Sequence, residues 1–107
     1  MNAGKPNFPL LTEISDYQNS IIDEEKKLKQ IEIDLVGKNG KEILLVGECK
    51  FKNTPFDKVE FENLMDKIKY LPVNNPQIFI FSLSGFSDYV KQNADRCALV
   101  SIEDMYR

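Results

Sequence analysis

Two strand-like runs separated by a glycine turn constrain this chain more than any other feature. Ile31-Glu32-Ile33-Asp34-Leu35-Val36 alternates apolar and polar residues with period two, the mark of a strand with one buried face. Gly37-Lys38-Asn39-Gly40-Lys41 breaks the pattern, and asparagine beside glycine is a turn signal. Ile43 to Phe51 (ILLVGECKF) then resumes as a second strand. The expected unit is an antiparallel hairpin, and the rest of the fold must be built around it.

Register decides which side chains of the hairpin share a face. A two-residue turn at Asn39-Gly40 pairs Asp34 with Leu45 and mixes Ile31, Ile33 and Leu35 with Glu48 and Lys50. A type I turn with Gly40 in a left-handed bulge position shifts the pairing by one and sets Asp34 opposite Leu44. One face then carries Ile31, Ile33, Leu35, Ile43, Leu45, Gly47, Cys49 and Phe51. The other carries Glu32, Asp34, Val36, Leu44, Val46, Glu48, Lys50 and Lys52. Burial selects this second parity, because a one-residue slip turns an arm's whole apolar set outward. Asp34 and Glu48 now share a face but stand about four residues apart along the strands, roughly 13 Å. A shared ion needs oxygen ligands at ~2.0–2.6 Å. The arms must therefore coil, splay or bulge to close the gap.

The flanking sequence extends the hairpin into an α/β chain. Residues 1–7 read as a loose arm, Phe8 to Tyr17 as a strand, and the charged stretch over residues 18–29 as a solvated loop or hairpin tip. In the sharper reading of that stretch, Lys26, Lys27 and Lys29 form a phosphate-contacting rim. Thr54, Pro55 and Asp57 suit a helix N-terminus, with Thr54 as the cap. Phe61, Leu64, Met65, Ile68 and Leu71 follow at helical spacing until Pro72. Gln77 to Leu83 is apolar on both faces, as a central strand requires. Ser87 caps a short helix that turns Val90 and Ala94 inward, and Ala98 to Ile102 closes as a last strand. Strands and helices that alternate in this way predict parallel neighbours joined by crossovers.

Composition limits the chemistry. With 107 residues there is room for a single domain. The chain has no histidine, which removes every mechanism and metal site that depends on one. Two cysteines, Cys49 and Cys97, make neither a disulfide framework nor a four-cysteine metal site. The absence of a hydrophobic leader and of any span-length apolar run suits a cytoplasmic protein, or a piece of one, with no membrane partner. Any catalysis must fall to carboxylates and lysines, together with a hard metal ion. The net charge of −3 argues against binding nucleic acid through overall charge and leaves room for a local basic patch.

An Asp on one strand, followed after a hairpin by a Glu-x-Lys strand, resembles the PD-(D/E)xK nuclease superfamily. The resemblance is closest to the restriction-endonuclease-like C-terminal domain of archaeal and bacterial AAA-type ATPases of unknown function. It rests on Glu32 to Val36, Gly47-Glu48-Cys49-Lys50-Phe51 and Ser82-Leu83-Ser84-Gly85-Phe86, and spans roughly Ile31 to Ile102. It implies a three-layer α/β/α fold: a mixed central sheet with an antiparallel hairpin and then βαβαβ-type crossovers. It implies that Asp34 and Glu48 bind Mg2+ or Mn2+, with the Cys49 carbonyl as a third ligand. Lys50 would orient the attacking water and steady phosphoryl charge, with Glu32 and Lys52 as accessory residues. DNA becomes the expected partner, alongside an ATPase domain in a longer protein that contains no phosphate-binding loop within this segment. The superfamily's usual first helix, often acidic, has no room here, and Glu13 is the candidate substitute.

The bland readings stay beside these. Asp34, Glu48 and Lys50 also make an ordinary solvated face with a cross-strand ion pair, which is what the pattern alone favours. Both cysteines read as small core residues. Lys58, Lys67 and Lys69 are solvent-facing helix charges or phosphate contacts, and Phe79 and Phe81 are core. The rival to a nuclease is a catalytically inactive interaction or oligomerisation module, with a homo-oligomer among its forms.

Overall fold

The computed structural model describes residues 10–102, so the arm expected over residues 1–7 lies outside the described residues. The elements are β1 (Glu13–Ile22), β2 (Leu28–Asn39), β3 (Glu42–Lys50), α1 (Lys58–Lys69), β4 (Gln77–Ser82), α2 (Asp88–Asn93) and β5 (Cys97–Ser101). All five strands join one sheet in chain order. β1, β2 and β3 pair antiparallel, and β3, β4 and β5 pair parallel. The mixed α/β sheet with a hairpin and two helical crossovers is thus as expected.

Both helices pack on one face. Ile31, Ile33, Val36, Ile43, Val46, Ile78 and Ile80 of the sheet form a single buried cluster with Phe61 and Leu64 of α1 and Val90 of α2. The inward placement of Val90 and Ala94 matches the sequence reading. The opposite face carries Leu35, Leu45, Phe79 and Phe81, which with Leu11 and Ile14 line an apolar cavity of about 130 Å³. Among the described residues no helix covers that face, and those residues build two layers.

Two bulges explain why the faces differ from the expected segregation. Between Ser15↔Val36 and Tyr17↔Ile33, β2 spends one residue more than β1, at Asp34–Leu35. Between Gly37↔Leu45 and Lys38↔Ile43, β3 carries Leu44 as an extra residue. Each bulge reverses the alternation once. Ile33 and Val36 therefore share the helix face, as do Ile43 and Val46, while Leu35 and Leu45 turn to the other. A single alternating pattern carried through both bulges misassigned Val36, Leu35, Val46 and Leu45.

Two boundaries also differ from expectation. Strand β1 starts at Glu13 and runs on to Ile22, so most of the stretch expected as a loop is strand. Its tip is a tight turn in which the Asp23 carboxylate accepts the amides of Glu25 and Lys27, each at 2.9 Å, and Lys26 takes a φ of 60°. Helix α1 is capped by Asp57 instead of Thr54. Phe56 is still extended there, held by its amide on Gly85 O (2.9 Å) and its carbonyl on the Ser87 amide (3.0 Å). Asp57 and Glu60 then form a reciprocal capping box.

Candidate functional site

The β2–β3 register brings Asp34 and Glu48 together. Leu35 pairs with Gly47 and Val36 with Val46, so the next step along both strands sets Asp34 opposite Glu48. Four residues of expected offset vanish because the turn closes later, with Asn39 paired to Glu42, and because Leu44 is looped out. Same-face parity of the two carboxylates was right, and the intervening distance was not.

Past Leu35 the backbone ladder gives way to side chains. The Asp34 amide donates to Glu48 Oε1 at 3.2 Å, and the Cys49 amide donates to Asp34 Oδ2 at 3.0 Å. Each carboxylate thus caps the other strand's backbone where the arms splay. Asp34 sits in the bulge of β2 and is exposed, while Glu48 is half-buried. Burial raises the Glu48 carboxyl above its ordinary value, against the attraction of Lys67 and the Asp34 amide. Burial also raises the Cys49 thiol, with Asp34 and Glu48 adding to the effect.

Helix α1 forms the other wall. Glu60, Asn63 and Lys67 line a cleft of about 300 Å³ with Glu48, Cys49, Lys50, Phe51, Lys52 and Phe56. Lys50 Nζ lies 2.6 Å from Glu60 Oε2 and donates to Pro55 O at 2.9 Å. Glu60 uses its other oxygen to accept the Asp57 amide at 2.9 Å, which ties the lysine to the helix cap. Lys67 Nζ stands 3.8 Å from Glu48 Oε2. The sequence reading missed Glu60 and Asn63 and offered Lys67 only as a general phosphate contact. Their signal was present: residues 60, 63 and 67 recur at helical spacing beside the apolar stripe.

The remaining candidates fall in different places. Lys52 lines the cleft and is exposed. Glu32 is paired opposite Gln18 in β1, is exposed and accepts from Gln30 at 3.2 Å, outside the cleft lining. Glu13 pairs with Lys38 near the β2–β3 turn, away from Asp34, and does not stand in for an acidic first helix. Lys29 pairs with Asp66 and lies over Tyr70, and Lys69 reaches Glu24 at 2.9 Å. These lysines dock the β1–β2 tip on α1, so Lys29 forms no free rim. Lys58 pairs with Glu62 at 3.8 Å. Phe79 is buried as expected. Half-buried Cys97 has its thiol pushed up to about 11 by burial, consistent with a structural role.

Among the described residues, no group of three or more Cys, Asp or Glu side chains is placed to share a metal ion. None of their helices is long and apolar enough to cross a membrane. Compared with protein-family models, curated proteins and solved structures, the chain gives no match.

Proposed function

We propose that the cleft between β3 and α1 is a divalent-metal site for phosphodiester hydrolysis, with DNA as the substrate class and a PD-(D/E)xK scaffold beneath it. One observation carries this reading: the reciprocal bonds that hold Asp34 and Glu48 against each other where the β2–β3 ladder opens. Beyond the amides they accept, two neighbouring carboxylates repel each other, and a cation between them relieves that repulsion.

The donor set fits Mg2+ or Mn2+, which take oxygen ligands. Asp34 keeps Oδ1 free of hydrogen bonds among the described residues, since Oδ2 holds the Cys49 amide. Glu48 supplies the second carboxylate. The Cys49 amide points toward β2, and a strand residue sends its carbonyl to the same edge as its amide, so that carbonyl would be the third protein ligand. With only two side-chain ligands, the remaining positions fall to water and substrate oxygens. When bound, the ion polarises a phosphoryl oxygen and acidifies a bound water. Lys50 is held beside Glu48 by Glu60 and Pro55 O, where its ammonium stabilises negative phosphoryl charge.

The finer, three-layer form of this fold needs an element over Leu35, Leu45, Phe79 and Phe81, and the apolar character of that face supports it. An ATPase domain in a longer protein belongs to the same proposal. A second reading, an inactive interaction module, is favoured by lysines already paired with Glu60 and Glu48.

The test is cleavage of plasmid and branched DNA with Mg2+ or Mn2+. Asp34→Asn and Lys50→Met are each expected to lower the rate by about 10²–10³-fold, the usual effect of removing one charge-stabilising group. Intact DNA at high protein concentration, with no heat of metal binding, removes the enzymatic reading. A stable complex in light scattering would then favour the interaction module.

A further inference from the structure

Phe51 is 67% exposed, yet its backbone is not loose. On one side the Lys50 carbonyl accepts the Leu83 amide at 2.8 Å. On the other the Lys52 carbonyl accepts Ser84 Oγ at 2.9 Å. Both bonds fix the segment to the β4–α2 connection while the ring stands in solvent. Other rings find partners: Phe56 against Phe86, Phe61 against Tyr89, Phe79 stacked on Phe81. Phe51 has none among the described residues. An exposed phenylalanine on a fixed backbone forgoes the stability that burial would give it.

Its setting says what covers it. Phe51 lines the same cleft as Glu48, Lys50, Lys52, Asn63 and Lys67. Lys52 is exposed and its ammonium has no acidic partner among the described residues. A protein anchor would need further apolar surface around the ring, as at the centre of an interface. The cleft lining is as polar as it is apolar, with lysine and asparagine side chains in it, and Phe56, its other aromatic residue, is buried. A flat ring beside lysines suits a nucleobase, whose face stacks while its phosphates meet the ammonium groups.

We propose that Phe51 is a stacking platform for an unpaired base, so that the strand entering the cleft is single-stranded. This deepens the nucleic-acid reading of the cleft and rests on it. A base within a duplex is already stacked on both faces and has no face to offer Phe51. A flap, a gap or a free end does.

The chain contains no tryptophan, so Phe51→Trp supplies a single reporter at the site. The experiment titrates that variant, in chelator, with an oligothymidylate and with a duplex of equal length. The expected result is quenching of the Trp emission by the single strand and not by the duplex. In parallel, Phe51→Ala should weaken single-strand binding about tenfold in fluorescence anisotropy, with an unchanged circular dichroism spectrum. Equal quenching by duplex, unaltered binding by Phe51→Ala, or no binding of either oligonucleotide overturns the proposal. So does a Trp shift that follows protein concentration without DNA, which marks a second copy as the occupant. Failure of the hydrolytic reading looks different: quenching persists, and no Asp34-dependent cleavage occurs. Asp34-dependent cleavage unaffected by Phe51→Ala would sink the platform and leave the nuclease standing.

Discussion

Glu48 is a carboxylate whose charge the fold works against. Burial raises its pKa above the ordinary 4.5, with Lys67 and the Asp34 amide offsetting part of that rise. A raised carboxyl binds its proton more tightly in the native state, so stability falls as pH climbs from 4.5 through the folded value. Replacing Glu48 by Gln removes that loss and keeps an oxygen to accept the Asp34 amide. Thermal melts should show Glu48→Gln more stable than wild type at pH 7, with the gain shrinking to nothing well below pH 4.5. An equal gain at every pH would mean that burial of the charge is not the cause. Divalent metal should reverse the order at pH 7, because a bound cation stabilises only the ionised carboxylate. Glu48 and Lys50 in the cleft, and Asp34 bonded to its β3 edge, were readable from spacing. The helical spacing of Glu60 was readable too, but its pairing with Lys50 was not, because that contact depends on how α1, which begins eight residues after Lys50, packs on the sheet.

At the scale of elements, the start of α1 joins stability to the site. Asp57 caps the helix, and Glu60 closes the box while it holds Lys50. Asp57→Ala should lower unfolding stability by about 1 kcal/mol, the usual loss at an N-cap. Glu60→Gln retains an acceptor for the Asp57 amide and should cost less, while it releases Lys50 from its ion pair. Urea denaturation of the two variants separates these effects: a larger loss for Glu60→Gln than for Asp57→Ala would show that the ion pair, and not the cap, anchors this end. The capping box was legible as Asp-x-x-Glu, yet Thr54-Pro55 offered an equally good local start. Local preferences were close, and the bridge between Phe56 and Phe86 decided between them. The hairpin shows a similar limit. Gly40 takes the left-handed conformation expected of it, with φ of +64°, but the bulge at Leu44 leaves no local mark that distinguishes Leu44 from its apolar neighbours.

Across the whole molecule, a net charge of −3 confines any nucleic-acid contact to a small basic region. The cleft brings together Lys50, Lys52 and Lys67. If these carry the phosphate contacts, the logarithm of single-strand affinity should fall with the logarithm of salt at a slope of about −2. A slope twice as steep would place further contacts outside the cleft. The sheet itself separates two tasks. Its helix face holds the core that fixes β3 against α1, and its other face leaves Leu35, Leu45, Phe79 and Phe81 around an apolar cavity. Both crossovers run to the next strand in the same direction, β3 to β4 to β5. A constant crossover hand then sends both helices to one side, which is why the described residues form two layers.

What the sequence determined by itself is what short-range physics controls. Alternation marked β2, the turn after it marked β3, an apolar run on both faces marked β4, helical spacing marked the buried stripe of α1, and Ser87 marked the start of α2. The same-face relation of Asp34 and Glu48 agrees with the sequence reading, although the apolar segregation behind that reading did not hold, because the bulges re-sort Leu35, Val36, Leu45 and Val46. What the tertiary structure decided is how far apart they stand and what faces them. Sliding β2 along β3 by an even number of residues preserves parity, so alternation is blind to it. Packing of Val36, Val46 and Ile80 beneath α1 fixes that slide. It sets Asp34 opposite Glu48 and brings Glu60 and Lys67 to the same cleft, because those contacts exist only once the helix lies on the sheet.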